Sequence, residues 1–435
     1  MDSIFLEKEQ GGLSLEQIKE SLARSLRGKR LSKVLLIPPD ITRLNSGAGL
    51  ITALCYDLLE GAHVDILPAL GTHAPMTRDE QTTFFGSKIP PERFLVHKWR
   101  DGVAKVGEVP GSFISQVSEG LFSDAMDVEL SEHVLDPTYD LILSIGQVVP
   151  HEVVGMANYT KNIVVGCGGS KMINQSHMLG AVYGMERIMG RDFSPVCKVF
   201  DYAEENFISK LPVEYALTVT VTENERTDII GLYIGKGREG FTRAVALSQK
   251  HNLNYLQSPI RTCVVWLDEK EFRSTWLGNK AIYRTRMAMA DGGNLIILAP
   301  GVEMFGEDPE NDRLIRKYGY VGRERVLELS KTEPDLQDNL SVAAHLVHGS
   351  SDGRFSVTYA AGKLRRDEVE GVSLGYMPFC EALEKYDPQR LEQGYNILPC
   401  GEEVFFIGNP ALGLWTLGNA VCGPQIRNSE FGIRN

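Results

Sequence analysis

The chain has 435 residues, of which 43% are hydrophobic and 23% are charged, and its formal net charge at pH 7 is −12. This length predicts two domains, or at most three, each able to bury a core of its own. The excess of acidic residues argues against a nucleic-acid-binding surface, although a local basic pocket remains compatible with it. The composition is that of an ordinary soluble globular protein.

The cysteines are scattered, odd in number and without Cys-x-x-Cys spacing, at positions 55, 167, 197, 263, 380, 400 and 422. We therefore expect reduced thiols in a cytoplasmic protein, with neither a disulfide framework nor a cysteine zinc site. The first residues lack the layout of a signal peptide, and no apolar run reaches membrane-spanning length.

Short apolar runs alternate with amphipathic segments through the first half of the chain. Residues 34–40, 64–70 and 140–146 are predicted to be buried strands that end in polar loops, and residues 51–59 fit a helix. This alternation predicts a parallel α/β sheet. Because such sheets bind ligands at the carboxyl ends of their strands, the loops after these three strands are the expected functional site.

The first of these loops has the sequence Asp40-Ile41-Thr42-Arg43. Arg43 is a candidate clamp for a carboxylate or a phosphate, and Asp40 is placed to orient it. A strand-end turn with a surface arginine explains the same residues equally well.

The second loop has the sequence Gly71-Thr72-His73. An imidazole can move protons at neutral pH or bind a metal, although a single histidine more often has a structural role. The position of His73 beside two other candidate loops favours function.

The third loop contains His151 directly after Pro150, and Lys161 follows ten residues later, ahead of the apolar run 163–165. Glu152 fits a solvated neighbour of His151. A lysine that enters a buried segment usually extends its charge outward. The alternative is that Lys161 is a covalent attachment point for a cofactor.

A glycine-rich turn, Gly166-Cys167-Gly168-Gly169, precedes a helix that is predicted to begin near Asn174, so His177 is expected in the first turn of that helix. Such turns present backbone N–H groups to phosphates. This one matches neither the dinucleotide-binding fingerprint nor the P-loop. A core histidine is the alternative interpretation of His177.

A second α/β block begins near residue 256, with predicted strands at 262–267 and 294–300, a helix over 280–290 and a turn at 291–293. We predict an N-terminal α/β domain at 1–255 and a smaller C-terminal α/β domain at 256–404. The tail, 405–435, is a candidate to return and complete the first domain.

Three further histidines, His345, His348 and His97, are expected to have structural roles and not to bind a metal or take part in catalysis. His345 and His348 have i, i+3 spacing that suits a metal pair, but the local sequence offers no third ligand. His97 is likewise expected to be structural.

Taken together in their order and spacing, these segments resemble the nickel-dependent lactate racemase family. The resemblance is carried by Asp40-Ile41-Thr42-Arg43, by residues 71–77 around His73, by Pro150-His151 with Gly155, by Lys161 and by His177. It implies two α/β domains with mostly parallel sheets and an active site in the cleft between them.

The resemblance also implies a cofactor, a nickel-pincer nucleotide (a nickel pyridinium-3,5-bisthiocarboxylic acid mononucleotide). Lys161 would hold it through a thioamide bond, and His177 would complete the coordination of the nickel. The other cofactor contacts implied are Asp40, Thr42, Arg43 and Thr72, with Gly166, Gly168 and Gly169 near the nucleotide phosphate.

The implied activity is that of an isomerase, a racemase or epimerase that inverts C2 of a 2-hydroxy acid. Hydride transfer to the cofactor gives a 2-keto acid, and hydride return to the opposite face inverts the centre. His73 and His151 would alternate as general base and general acid for the substrate hydroxyl.

Two departures from the family concern the substrate. Residues 156–160 replace the Phe-Ser-Gly-Gly type of run that lactate racemases usually carry, and Arg284 and Arg286 lie where a Gln and a Lys face the substrate. Arginines suit a second carboxylate or several hydroxyls, with Arg43 as a further substrate contact. We therefore expect a malate-like acid or a sugar acid of the gluconate or mannonate type.

Two alternatives belong to other functional classes. One is a non-catalytic protein that binds the nucleotide or an organic acid; the other is a nicotinamide-dependent dehydrogenase, which the missing dinucleotide fingerprint argues against. The expected partners are the small-molecule substrate and the proteins that build the cofactor, with neither nucleic acid nor membrane, and a homo-oligomer stays open.

Overall fold

The computed structural model describes residues 3–223 and 226–418. The chain divides into two compact units. The first comprises Met1–Asn252 with Asn339–Ala344, and the second comprises Leu253–Asp338 with the chain from His345 onward. The first break thus falls three residues before the one placed at 255/256 from the sequence.

The first unit has an α/β arrangement. Its strands are β1 (Ile4–Glu7), β2 (Lys33–Ile37), β3 (His63–Ile66), β4 (Val103–Val109), β5 (Met126–Ser131), β6 (Leu141–Gln147), β7 (Pro150–His151), β8 (Gly155–Met156), β9 (Val213–Glu223) and β10 (Arg226–Gly235). Its helices are α1 (Leu15–Leu26), α2 (Ala48–Leu58), α3 (Arg78–Phe85), α4 (Gly111–Val117), α5 (Thr160–Val164), α6 (Ser170–Tyr183), α7 (Met185–Ile188), α8 (Pro195–Asn206) and α9 (Glu239–Asn252), with 3₁₀ turns at Ile41–Ser46, Pro91–Arg93 and Ile208–Lys210.

The main sheet of this unit has the strand order β1-β10-β9-β6-β2-β3. β2 pairs in parallel with both β3 and β6, and β6 pairs in parallel with β9, whereas β10 and β1 are antiparallel additions. The three strands predicted from the sequence are therefore adjacent and share one direction. Their carboxyl ends lie at one edge of the sheet, beside the switch in strand order between β2 and β6.

Both faces of this sheet are covered by apolar side chains. Along β2, Val34 and Leu36 belong to the core cluster under α1, α2 and α3, while Leu35 and Ile37 belong to the cluster under α5, α6 and α8. A continuous apolar strand is typical of parallel sheets that are buried on both sides. This packing explains why 34–37 could be recognised as a strand from sequence alone.

The second unit is built on a separate sheet. Its strands are β11 (Leu253–Leu256), β12 (Ile260–Trp266), β13 (Met289–Ala299), β14 (Phe355–Ala361), β15 (Gly375–Tyr376), β16 (Gly394–Ile397), β17 (Glu403–Ile407) and β18 (Leu414–Leu417). The helices of the remaining chain are α10 (Thr275–Gly278), α11 (Lys280–Thr285), α12 (Pro309–Tyr318), α13 (Arg323–Thr332), α14 (Pro334–Gln337), α15 (Leu340–Gly349), α16 (Arg366–Gly371) and α17 (Phe379–Lys385), with a 3₁₀ turn at Pro410–Leu412.

The main sheet of the second unit has the order β15-β14-β13-β12-β17-β16, and only β16 runs antiparallel to its neighbour. The predicted fold class, α/β with mostly parallel sheets, is confirmed in both units. The idea that 405–435 returns to the first domain is wrong for 405–418, because β17 pairs with β12 and β18 pairs with β11. Residues 419–435 lie outside the described residues.

Three local assignments differ from the prediction. The helix expected over 280–290 ends at Thr285, and residues 291–293 belong to β13 instead of forming a turn. The register between β12 and β13 shifts from Ile260 opposite Met289 to Thr262 opposite Asn294, so residues 290–293 form a bulge against β12. On the other side, the N–H of Gly292 donates to the carbonyl of Arg354 at 2.6 Å and Gly293 pairs with Phe355 of β14, which keeps the glycines within the strand. The helix expected near Asn174 begins four residues earlier, at Ser170.

Within residues 3–223 and 226–418, no helix is long and apolar enough to cross a membrane. The six cysteines in this part of the chain are free thiols, as expected, and four of them are buried. Cys422, the seventh, lies outside the described residues.

The contact between α2 and α3 generates a prediction about stability. A Cβ atom added at Gly49 of α2 would lie 2.0 Å from the carbonyl oxygen of Phe84. We expect Gly49→Ala to lower the free energy of unfolding by roughly 1–3 kcal/mol, because backbone must move to admit the methyl group. Urea denaturation followed by circular dichroism measures this change.

Gly240→Ala in α9 is the matched control, since its Cβ would meet only ordinary contacts at 3.5 Å. Without a clash, alanine should stabilise the helix by about 0.5–1 kcal/mol relative to glycine. Equal effects of the two substitutions would contradict the proposed close approach of α2 and α3.

Candidate active site

Three polar segments follow the parallel strands of the first unit at one edge of its sheet. Asp40 comes three residues after β2, His73 lies in the loop after β3, and His151 lies in the short strand β7 that follows β6. The backbone N–H of Gly71 donates to the carbonyl of Gly166 at 2.9 Å, which ties the His73 loop to the turn after α5.

Asp40 and His73 form a direct hydrogen bond at this edge. The Nδ1 atom of His73 lies 2.5 Å from Oδ2 of Asp40, while the other oxygen of Asp40 accepts hydrogen bonds from the backbone N–H (3.0 Å) and the hydroxyl (2.5 Å) of Thr42. Because an ionised carboxylate only accepts, Nδ1 of His73 carries the hydrogen. In the neutral ring, Nε2 is then the site that can accept a proton.

The ionised state of Asp40 follows from its surroundings. Burial alone would raise the pKa of this carboxyl group, but the hydrogen bond and charge of His73, the Thr42 bonds and the Arg43 charge hold the pKa below its usual range. Asp40 is 4% exposed, whereas the side chain of His73 keeps 46% of its surface accessible. A buried anion thus orients an imidazole that solvent or a ligand can reach.

His151 is held differently. It is buried in the hairpin of β7 and β8, and its Nδ1 accepts the backbone N–H of Val153 at 3.1 Å. An Nδ1 that accepts requires the proton on Nε2 in the neutral ring. The carboxylate of Glu152 lies 3.9 Å from the same Nδ1. His73 and His151 are therefore held in opposite tautomers, one with a bare Nε2 and one with a protonated Nε2.

Lys161 lies in the first turn of α5. Burial lowers the pKa of its amine to about 8, and the positive charge of Arg43 lowers it further, against the opposing influence of Glu152 and Asp40. A considerable fraction of the amine is therefore neutral near physiological pH. These electrostatic interactions also link Lys161 to the residues of the two preceding loops.

His177 lies in the second turn of α6, not in the first as the sequence suggested, because the helix begins at Ser170. Its Nδ1–H donates to the carbonyl of Ile173 at 2.6 Å, which leaves Nε2 as the unprotonated nitrogen. Burial lowers the pKa of the ring to about 4, and the charge of Lys161 adds to this effect. A neutral, oriented imidazole near an amine suits metal coordination.

The glycine-rich turn 166–169 is engaged by the protein itself. The carbonyl of Gly168 accepts Nε2–H of His97 at 2.9 Å, so the buried His97 has a structural role here. A Cβ at Gly169 would lie 2.1 Å from the Glu129 carboxylate, which also accepts the N–H of Lys171 at 3.3 Å. A protein carboxylate thus already caps the start of α6, and close packing accounts for the glycines.

The two predicted arginines of the second unit are both buried. Arg286 donates to the carbonyls of His348 (3.0 Å) and Ser350 (3.3 Å) and pairs with Asp352 at 3.3 Å. This set of contacts gives Arg286 a structural role. Arg284 lies on α11 and is 2% exposed.

The imidazole of His345 is stacked on Trp276, and its two nitrogens lie 3.0 and 2.9 Å from the hydroxyls of Tyr283 and Tyr320. Both nitrogens are therefore occupied by protein groups. In residues 3–223 and 226–418, no group of three or more His, Cys, Asp or Glu side chains could hold a metal ion.

Sequence reasoning missed two polar residues that organise this site, Asn162 and Glu129, and interpreted a third, Glu152, only as a solvated neighbour of His151. Asn162 donates to the carbonyl of Ile37 and to the hydroxyl of Ser144, both at 3.0 Å, and so attaches α5 to β2 and β6. Glu129 caps α6, and Glu152 acts electrostatically on Lys161 and His177. The one indication in the sequence was that two of them directly follow candidate site residues: Asn162 follows Lys161, and Glu152 follows His151.

A known protein family matches the N-terminal part of the chain. Residues 13–187 match the family described as the lactate racemase N-terminal domain, which confirms the predicted resemblance. None of the curated proteins compared with the chain matches it.

Two solved structures resemble the whole fold. A crystal structure of a protein from Thermotoga maritima is 26% identical, with a TM-score of 0.79 over 95% of this chain and all of that one. The lactate racemase apoprotein from Thermoanaerobacterium thermosaccharolyticum is 16% identical, with a TM-score of 0.66 over 93% of this chain and 90% of that one. At this identity the second likeness supports the fold alone.

Proposed function

We propose that the chain is an isomerase that inverts C2 of a 2-hydroxy acid, on the premise that residues 13–187 match the lactate racemase N-terminal domain. The observation that carries the proposal is the pair His73 and His151, oriented in opposite tautomers, together with Lys161, which is partly buried and within electrostatic reach of Asp40 and Glu152. A protein that only binds a ligand has no need of such a pair.

The residues present fit a nickel-pincer nucleotide. The lowered pKa of Lys161 favours the neutral amine that a covalent bond to the cofactor requires, and the oriented Nε2 of His177 suits a nickel ligand. When bound, this cofactor supplies a centre that takes a hydride from carbon and returns it. Thr42, Thr72 and the Asp40 loop would line its pocket.

The two histidines would handle the hydroxyl proton of the substrate. Neutral His73 has an unprotonated Nε2 that accepts a proton, while the carboxylate of Asp40 stabilises the resulting positive charge. Neutral His151 has an Nε2–H that can hydrogen-bond to the substrate oxygen. For one hydroxyl orientation His73 is the base, and for the other His151 is the base once its ring proton has moved from Nε2 to Nδ1, which leaves Nε2 able to accept the hydroxyl proton.

Arg43 is the residue best suited to hold an anionic group, either a substrate carboxylate or the nucleotide phosphate. We prefer it to Gly166, Gly168 and Gly169, whose turn packs against protein groups. Arg284 is retained as a second substrate contact and Arg286 is not, given its bonds within the second unit. A malate-like or sugar acid remains the proposed substrate class.

The first test is cofactor attachment. The chain is coexpressed with enzymes that build the nickel-pincer nucleotide, and its intact mass and nickel content are measured. We expect a covalent adduct and about one nickel per chain, both lost in Lys161→Ala, because the amine of Lys161, whose pKa burial lowers to about 8, is the proposed attachment point. Lys19→Ala, at an exposed site on α1, is the control that should keep both. An unmodified parent chain would refute the proposed cofactor.

The second test follows the hydrogen at C2. Malate, gluconate and mannonate deuterated at C2 are incubated in ordinary water with the loaded protein. Hydride transfer within a closed site should invert the centre with the deuterium retained, whereas proton abstraction would exchange it with solvent. Loss of the label would exclude the hydride mechanism, and an adduct without any inversion would favour the binding-protein alternative.

The two histidines should be needed for inversion but not for cofactor retention. Either His73→Gln or His151→Gln should lower kcat by about 10²–10⁴-fold, as expected for loss of a general acid or base, with nickel content unchanged. His63→Gln is the matched control, because His63 lies at the amino end of β3 and hydrogen-bonds to Asp65 there. A comparable loss in the control, or none in the two variants, would contradict these roles.

A further inference from the structure

The segment before Lys161 has an unusual backbone. Asn158 and Tyr159 have φ values of +71° and +56°, in the left-handed region that favours glycine, and Tyr159 combines this with a ψ of −132°. Asparagine tolerates such a conformation, but a bulky aromatic residue rarely does. Helix α5 begins at the next residue, so this conformation sets the direction in which Lys161 enters the site.

The ring of Tyr159 is fixed by aromatic packing. Its side chain is 4% exposed, and its centroid lies 4.5 Å from that of Tyr215 and 5.2 Å from that of Phe241, with the latter ring inclined by only 17°. The carboxylate of Glu204 accepts the hydroxyl of Tyr215 at 2.6 Å and that of Thr160 at 3.3 Å. Thr160, the first residue of α5, and Tyr215, which packs against Tyr159, thus donate to the same carboxylate.

Asn158 is confined on the other side of the same turn. Its Oδ1 accepts the N–H of Tyr159 at 2.8 Å, and its amide nitrogen lies so close to Gly146 that a Cβ there would be 1.8 Å away. The carbonyl of Tyr159 accepts the N–H of Asn162 at 3.0 Å. Through the side chain of Asn162, this turn is also attached to β2 and β6.

We propose that Tyr159 is a positioning residue for Lys161: its packed ring holds an unfavourable backbone turn and thereby fixes the start of α5 and the place of the lysine. A flexible glycine pair would reach the same turn without strain but would also allow others. The role toward a cofactor rests on the proposed function, whereas the fixing of α5 does not.

The test uses the full chain with four substitutions. Tyr159→Leu removes the aromatic packing, Phe241→Leu removes only the stacked partner and leaves Tyr159 in place, and Tyr159→Phe keeps the ring. Tyr233→Leu is the matched control, a buried tyrosine of the same core that packs on Phe5 with centroids 6.0 Å apart. For each chain, amide hydrogen exchange over 160–166 and the adduct fraction after coexpression are measured.

We expect Tyr159→Leu to speed exchange over 160–166 at least tenfold and to reduce the adduct fraction at least fivefold. Phe241→Leu should shift both in the same direction, which keeps the test informative if Tyr159→Leu does not fold. Tyr159→Phe and Tyr233→Leu should stay within twofold of the parent in both measurements.

Unchanged exchange in Tyr159→Leu and Phe241→Leu, or an equal change in Tyr233→Leu, would overturn the positioning role. If the parent itself carries no adduct, the proposed cofactor fails, and the exchange measurement alone decides whether Tyr159 fixes α5. The two failures are therefore distinguishable.

Discussion

The parallel pairing of β2 with both β3 and β6 is the constraint on which the candidate site depends. This pairing puts three carboxyl strand ends side by side, and the loops that follow contribute Asp40, His73 and the His151 hairpin. A shift of β2 by one residue would exchange the two buried faces of the strand and move Asp40 away from His73. The apolar residues on both faces of β2 make such a shift costly.

Charge is distributed at this edge so that each titratable group has a defined state. Asp40 stays ionised because His73, Thr42 and Arg43 outweigh the cost of burying it. The opposite holds for Lys161 and His177, where burial dominates and favours the neutral forms. One region thus combines an oriented anion with an amine whose pKa is lowered to about 8 and with a neutral imidazole, a combination that water would not sustain.

The sequence was informative where a local pattern is enforced by the whole fold. Apolar runs between polar loops located β2, β3 and β6, because strands buried on both faces must be apolar throughout. It failed at Gly292 and at the start of α6, where strand pairing and the Glu129 carboxylate, both contributed by distant residues, decide the local structure. The backbone conformation of Tyr159 could not be predicted either, because the aromatic rings that pack against it come from residues distant in the sequence.

The same reasoning bears on which residue an anionic ligand would contact. Arg43 and Lys161 are the two basic groups whose charges act on one another at this edge. A thioamide bond at Lys161, as proposed, would abolish the charge of that amine permanently. Arg43 would then be the cation left to balance both Asp40 and an incoming carboxylate or phosphate. Attachment of the cofactor would therefore concentrate the anion affinity of this edge on a single side chain.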